Sequence, residues 1–272
     1  MNGPYDFTVV IPIYIRNDPL LFKNCIKSVL ANTLLPNKII IIVDGPISDK
    51  LNQEVNYCKN ISNVLVLRFK KHKGLTFALN YSIKKVETTW VARMDGDDFC
   101  MPNRFYNQIS HLKKNNHLML LGSNIIEYDP ILKKKILKKV PISYSEILNF
   151  YKIRNPFNHM TVIFNTKFFK NIGGYPDLFL KEDYGLWIKF IASGAKVENL
   201  DTSYVKVDAG DNLYKRRSGY KLVLSEYKLQ KFFYQKGLKS LIRMHLDFII
   251  RGSIFMLPNF IRKFIYIKFL RT

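Results

Sequence analysis

Residues 90–98 read Trp90-Val91-Ala92-Arg93-Met94-Asp95-Gly96-Asp97-Asp98, a short apolar run that ends in three carboxylates. Such a run, bounded by a turn signal, reads as a buried strand when its neighbours repeat the pattern. They do. Towards the N-terminus, apolar runs recur at Val64–Phe69, Ile39–Val43 and Phe7–Ile13, mostly rich in β-branched residues. Between them lie segments of helical length and period: Leu20–Ala31, Ile47–Lys59 and Leu75–Val86. Short apolar strands alternating with amphipathic helices predict an α/β fold, with βαβ units around a central, mostly parallel sheet covered on both faces. Ligands of such sheets bind beyond the carboxyl ends of the strands. That rule points to the residues after Ile13, Val43 and Met94.

Those three places carry acids: Asp18 after the first strand, Asp44 after the second, and the cluster Asp95, Asp97 and Asp98 after the fourth. A single acid at a strand end reads equally as a helix N-cap, and Asp18 has both readings open. Acids at three strand ends facing one crevice point to a ligand. Three carboxylates within four residues repel one another, and a divalent cation relieves that repulsion. Oxygen-only ligands suit Mg²⁺ or Mn²⁺, and Mg²⁺ completes its shell with water and substrate phosphates. A nucleoside diphosphate is the expected client. Gly96 removes a side chain where the backbone turns and a ligand approaches. The plainer alternative is an acidic turn capping a helix that begins at Pro102.

Bulk properties narrow the class. The chain has 272 residues, 47% hydrophobic and 24% charged, a globular composition with a full core. Its formal net charge of +22 predicts attraction to a polyanion: nucleic acid, an anionic leaflet or a phosphorylated substrate. Three scattered cysteines argue against a disulfide framework or a zinc site and for a reduced, cytosolic protein. No signal-peptide pattern is read at the N-terminus, and no stretch reaches the roughly 18 apolar residues of a transmembrane helix.

Further along, Pro102–Asn115 reads as a helix with proline in its first turn, and Leu118–Tyr128 as a strand. Residues 130–141, PILKKKILKKVP, read as a surface hairpin or loop whose lysines form a solvated face or contact phosphate or lipid. Asn165–Lys170 and Asp183–Ala192 read as short helices. Residues 212–272 hold fourteen Lys and Arg against two acids, Glu226 and Asp247, interleaved with apolar residues. Leu238–Leu257 and Phe260–Leu270 have helical periodicity broken by Pro258. Basic amphipathic helices of this kind lie in a membrane interface, each Lys or Arg adding roughly 1 kcal/mol near an anionic leaflet. The alternative is a helical subdomain packed on the sheet.

The order of motifs resembles the inverting family-two glycosyltransferases with a GT-A fold. The resemblance spans roughly residues 6 to 215. It rests on Val9-Val10-Ile11-Pro12-Ile13-Tyr14, Val43-Asp44-Gly45, Lys73-Gly74-Leu75 with Asn80, Asp95-Gly96-Asp97-Asp98 as the DXD motif, and Lys181-Glu182-Asp183-Tyr184-Gly185-Leu186-Trp187. One departure is Val43-Asp44-Gly45-Pro46, where the family often shows Asp-Asp-Gly-Ser, so a single acid remains there for the nucleotide.

The resemblance implies a Rossmann-like nucleotide-sugar-binding half (1–101) and a mixed acceptor-binding half (102–211), to which the composition of residues 212–272 adds a basic, amphipathic helical tail associating with a membrane. It assigns Pro12, Tyr14 and Asp44 to the nucleoside. Gly74 and Gly96 allow close approach, and Arg93 reaches donor or phosphate. Asp95 contacts ribose or sugar hydroxyls, and Asp97 holds the metal on the diphosphate. Asp98 is either a second ligand or a helix cap. Asp183 is the expected general base, with Glu182 as runner-up; capping of the helix that carries Trp187 is the structural alternative, and both can hold. Asn155-Pro156-Phe157-Asn158-His159 resembles a segment of the bacterial polysaccharide branch. It makes His159 either a diphosphate contact or a core histidine. Arg216 and Arg217 read as a phosphate clamp or a solvated turn. Trp187 reads first as a core or cleft-wall residue and only second as a sugar platform.

The implied activity is transfer of one hexose, glucose first and galactose next, from a UDP-sugar to an undecaprenyl-diphosphate-linked saccharide in O-antigen or capsule assembly. The implied location is the cytoplasmic face of the bacterial inner membrane, peripherally bound. Two other classes fit less well. A nucleic-acid binder lacks a helix-turn-helix, zinc-finger spacing or an RNP-like aromatic motif. A nucleotidyltransferase calls for a Gly-rich basic loop after the first strand, and Pro12–Asp18 is not one.

Overall fold

In the computed structural model, which describes residues 3, 5–129, 134–208 and 219–257, the four apolar runs are strands β1 (Phe7–Ile13), β2 (Lys38–Val43), β3 (Val64–Arg68) and β4 (Trp90–Arg93). Helices α1 (Pro19–Leu30), α2 (Asp49–Cys58) and α3 (Leu75–Lys84) connect them. The strands are parallel, in the order β3-β2-β1-β4. Successive side chains point to opposite faces. Val9, Ile11, Ile39 and Ile41 enter a core with Phe22 and Val29 of α1 and Leu51 and Val55 of α2. Val10, Ile40 and Val91 enter a second core with Leu79 and Ile83 of α3. Burial on both faces is why these strands are continuously apolar rather than alternating.

This order also fixes the crevice. The chain steps outward from β1 to β3 and returns on the far side of β1 as β4. The winding therefore reverses between β1 and β4, and a ligand crevice opens at their carboxyl ends. The acidic residues 95–98 follow β4 at that point.

The second half comprises β5 (Phe99–Cys100), α4 (Arg104–Lys114), β6 (Leu118–Asp129), β7 (Lys134–Lys138), α5 (Tyr144–Phe150), a 3-10 turn at His159–Thr161, β8 (Ile163–Asn165), α6 (Thr166–Asn171), α7 (Glu182–Ala192) and β9 (Lys196–Asp208). The sheet continues from β4 through β8, β6, β9 and β5, with β7 paired to β6. Strand β8 is antiparallel to β4 and β6, while β6 and β9 are parallel, so this half is mixed.

Two elements differ from the sequence reading, and the lysine-rich segment takes the first of its two readings. The helix expected from Pro102 begins at Arg104, and the Pro102 carbonyl instead accepts from the Thr33 amide in the loop after α1. The lysine-rich segment is a hairpin, Lys134–Lys138 pairing with Ile125–Asp129. Helix α5 was not expected, although Ser143 and Glu146 form a capping box that its sequence spells out.

The basic tail begins with α8 (Tyr220–Gln235) and α9 (Leu241–Met256). Leu229 and Phe233 of α8 join the second core, Phe233 lying 5.9 Å from Tyr151 and 5.7 Å from Tyr184 between ring centroids. Helix α9 packs on α8, with Phe248 against Tyr227. Its buried side carries Met244, Asp247 and Gly252, whereas Leu241, Ile242, Leu246, Ile249, Ile250 and Met256 face outward. The polarity of this helix is thus the inverse of a surface helix packed on its own domain. No described helix is long and apolar enough to cross a membrane. The expected helix Phe260–Leu270 and the Arg216-Arg217 pair lie outside the described residues.

Candidate active site

At the end of β4 the carboxylates of Asp95, Asp97 and Asp98 each bring one oxygen to within 4.8 Å of the others. Asp97 is exposed, Asp95 half-buried and Asp98 buried. Asp98 Oδ2 has no hydrogen-bond partner. Burial first, then the charges of Asp95 and Asp97, push the Asp98 pKa well above the carboxylate range. A buried, unpartnered carboxylate beside two others requires a proton or a cation. Hard oxygen donors at this spacing fit a divalent ion.

Gly96 has a more specific cause than the one inferred from sequence. A Cβ there would sit 2.5 Å from Ile13 Cγ2 and 3.3 Å from the Pro12 carbonyl. The glycine therefore lets the acidic turn pack directly on the end of β1. Beneath it, the Cys25 thiol donates to the Asp95 carbonyl at 3.2 Å, holding the turn from α1.

Arg93, only 3% exposed, pairs with the Asp95 carboxylate. Its Nε has no hydrogen-bond partner. Below it lies a second buried cation. Arg104 is fully buried and spends its donors on the Arg93 carbonyl (2.7 Å), Met94 Sδ (3.1 Å) and Gln108 Oε1 (3.1 Å). Burial lowers the Arg104 pKa. Its charge and that of Arg93 both favour the ionised form of Asp98. Arg104 was not singled out from sequence. The available signal was Arg104 and Gln108 lying four apart on the same stripe as Phe105, Ile109 and Leu112 of an amphipathic helix.

Asp44, 5% exposed, accepts from the Lys73 amide at 2.7 Å and the Gly74 amide at 2.9 Å, and pairs with His72 Nδ1 at 2.8 Å. Gly74, at φ +92°, is the N-cap of α3, a conformation that costs a non-glycine residue. Asp44 thus fastens the loop 72–74 over the end of β2 and keeps one lone pair on Oδ1 for a ligand. Tyr14 is half-buried, its amide bonded to Asn17 Oδ1 and its ring 6.4 Å from His72. Pro12 is buried in β1. Asp18 is an N-cap: Oδ1 accepts from Leu20 and Leu21 amides at 2.8 and 3.0 Å, which settles its two readings.

Across the crevice, Glu182 and Asp183 form the first turn of α7. Asp183 Oδ2 accepts from Asn155 Nδ2 at 2.7 Å and Oδ1 from the Tyr184 amide at 2.7 Å. Burial raises the pKa of both carboxyls, and for Glu182 the Asp183 charge adds to it. The helix start orients them, and its positive end favours the ionised form. Leu180, just before, sits at φ 55°, a left-handed conformation costing on the order of 1 kcal/mol or more. Strain of that kind persists where surrounding contacts impose a loop shape.

Tyr175 is buried, its hydroxyl 2.8 Å from His159 Nε2. Burial raises the Tyr175 pKa, Arg93 opposes that rise, and Asp183, Glu182 and Asp95 add to it. Asn80 fixes that tyrosine, bonding its amide and its carbonyl at 2.9 Å each. His159 is buried, and desolvation together with Arg93 holds its pKa well below the usual value, so it is neutral. Trp187 is 0% exposed, packed on Phe157 and His159. It is a core residue with no face for a sugar, so the candidate acceptor contact is withdrawn.

Residues 8–171 match the model of the family described as Glycosyl transferase family 2. The chain belongs to this family. Over 96% of its length it is 33% identical to the amylovoran biosynthesis glycosyltransferase AmsE of Erwinia amylovora, covering 98% of that protein. It is 34% identical, over 97% of its length and 96% of the relative's, to the UDP-Gal:alpha-D-GlcNAc-diphosphoundecaprenol beta-1,3-galactosyltransferase of Escherichia coli. Both relatives are bacterial polysaccharide glycosyltransferases. The fold superimposes on S. aureus TarS 1–349 in complex with UDP-GlcNAc with a TM-score of 0.66 at 17% identity, covering 88% of this chain and 69% of that one. The α/β architecture above is the GT-A fold of such glycosyltransferases.

Proposed function

We propose that this glycosyltransferase moves one hexose from a UDP-sugar to a lipid-diphosphate-linked saccharide by a single inverting displacement. The observation that carries the reading is the triad Asp95, Asp97 and Asp98 at the end of β4, within 4.8 Å of one another, in a fold that also presents Glu182 and Asp183 on the first turn of α7. One wall has the chemistry to grip a diphosphate and the other a carboxylate able to take a proton. Asp97 and Asp98 would hold Mn²⁺ or Mg²⁺, which supplies neutralising charge for the departing nucleotide. Arg93 steadies Asp95, which faces ribose or sugar hydroxyls. Asp44 and Tyr14 receive the nucleoside, and Pro12 and Gly96 shape the floor beneath it. Asp183 accepts the proton of the acceptor hydroxyl as it attacks opposite the leaving group. Glu182, buried beside it, is the second carboxylate able to take that role.

The name of the Escherichia coli relative supports the donor class and the diphosphoundecaprenol-linked acceptor. Glucose and galactose are the two donors we put first, and that relative uses the second. The outward aliphatic side of α9, on a chain of net charge +22, supports peripheral docking on an anionic membrane, on the cytoplasmic face where such acceptors are elongated. Incubation with UDP-glucose, UDP-galactose and UDP-GlcNAc and a synthetic lipid-diphosphate-GlcNAc tests the reading. A β-linked disaccharide from one of the two hexoses supports it, and no transfer from any UDP-sugar refutes it.

A further inference from the structure

The helix that presents Asp183 is tied to the C-terminal helix pair by a buried ionic chain. Lys181, the residue on which α7 begins, donates through Nζ to Glu226 Oε2 of α8 at 2.8 Å. Glu226 is 0% exposed, and its other oxygen accepts from Arg251 of α9 at 3.2 Å and from Gln230 at 2.7 Å. The chain continues: Gln230 accepts from Lys239 at 2.8 Å, Lys239 pairs with Asp247 at 2.6 Å, and Asp247 pairs with Arg243 at 3.0 Å. The Lys181 ammonium also stands 5.3 Å from the Phe255 ring of α9. A second tether runs beside it, the Ser225 hydroxyl donating to the Phe179 carbonyl.

Burial is costly for a carboxylate unless cations repay it. Here the desolvation that would raise the Glu226 pKa is more than offset by Lys181 and Arg251, and the group is held below its ordinary value. A charge placed so deep between two cations from different elements specifies one geometry, because any slip of α8 or α9 strands it. The element specified is the turn Phe179–Lys181, which includes the left-handed Leu180 and sets where α7 starts. Glu182 and Asp183 follow without an intervening residue. The ionic chain reaches the α7 start through Lys181, with the Ser225–Phe179 bond beside it.

We propose that Glu226 is a positioning residue: through Lys181 it fixes the start of α7 and hence the placement of Asp183, so that the outward-apolar helix pair α8–α9 and the catalytic carboxylate form one mechanical unit. The inference rests on the reading of Asp183 as general base. Loss of the link lets the α7 start relax, which misplaces the proton acceptor without touching the donor site. The signature is therefore a fall in kcat with donor binding retained.

The test uses the full chain, with UDP-hexose and a synthetic lipid-diphosphate saccharide. Glu226→Gln keeps the shape and removes the charge. We expect kcat to fall at least tenfold, with the KM for UDP-hexose and the Kd for UDP within twofold of wild type. Glu226→Asp recovers part of the loss. Asp247→Asn, which weakens the same helix pair at its far end, keeps kcat within about twofold at temperatures where the protein is folded. Glu226→Gln with unchanged kcat, or with kcat and UDP affinity falling together, overturns the inference. So does an Asp247→Asn variant as slow as Glu226→Gln, since that marks a general packing effect. If Glu226→Gln does not fold, Lys181→Met, at a partly exposed site, carries the same two outcomes. Asp183→Asn run in parallel separates the layers: an active Asp183→Asn refutes the base assignment itself, whereas an inactive one beside a fully active Glu226→Gln refutes only the link.

Discussion

The side-chain amide of Asn155 donates to Asp183 Oδ2 at 2.7 Å, joining the loop before the 3-10 turn to the first turn of α7. Two influences meet on that carboxyl. Burial pushes its pKa up, while the Tyr184 amide and Asn155 pull it down. The balance leaves a carboxylate more basic than one in water and held in a single orientation, as a proton acceptor needs.

The acid limb of kcat/KM should therefore lie above the ordinary carboxylate range, because the base works only when ionised and its pKa is raised. Activity is present above that pKa and lost as pH falls through it. Asn155→Leu removes a donor that favours the ionised form, so the limb should move to higher pH. A pH–rate profile of both proteins checks this.

Asp97→Ala should remove metal-dependent UDP binding and lower transfer by at least about a hundredfold, the order of loss seen when a stabiliser of transition-state charge is deleted. Titration calorimetry with UDP in Mn²⁺, in Mg²⁺ and in EDTA reads it. Wild type should bind tightly only with a metal, and the variant should bind weakly in all three.

Ile242→Glu combined with Ile249→Glu should release the protein from vesicles containing anionic lipid while leaving the fold intact, since both residues are exposed on the outer side of α9. Burying one such side chain is worth about 1.5–3 kcal/mol, so partition should drop by more than tenfold. Vesicle sedimentation measures it, and high salt should weaken wild-type binding as well.

The nucleotide half was legible because its signal is local. Strands buried on both faces are apolar throughout, and the reversal of winding puts Asp95, Asp97 and Asp98 beside Pro12 and Ile13 without further information. What the sequence left open depends on long-range packing. Asp18 had to choose between ligand and cap, and only the geometry of α1 decided. Trp187 looks the same in sequence whether it faces a cleft or a core. Arg104 and Tyr175 carry no motif, and their importance comes from what other elements bring against them. In the tail, the excess of Lys and Arg suggested cations facing headgroups. Lys221, Lys228, Lys231, Lys236 and Arg243 are indeed exposed, but Lys239 and Arg251 turn inward to acids and aliphatic residues of α9 are turned out. Composition alone cannot distinguish those two arrangements.

The most direct test of the account is Asp183→Asn, assayed for hexose transfer to lipid-diphosphate-GlcNAc and, on the same preparation, for UDP affinity in Mn²⁺. The account predicts that turnover falls by about a hundredfold or more, the usual scale of general-base catalysis, while UDP affinity stays within about threefold. Turnover close to wild type, or a parallel collapse of UDP binding, would contradict it.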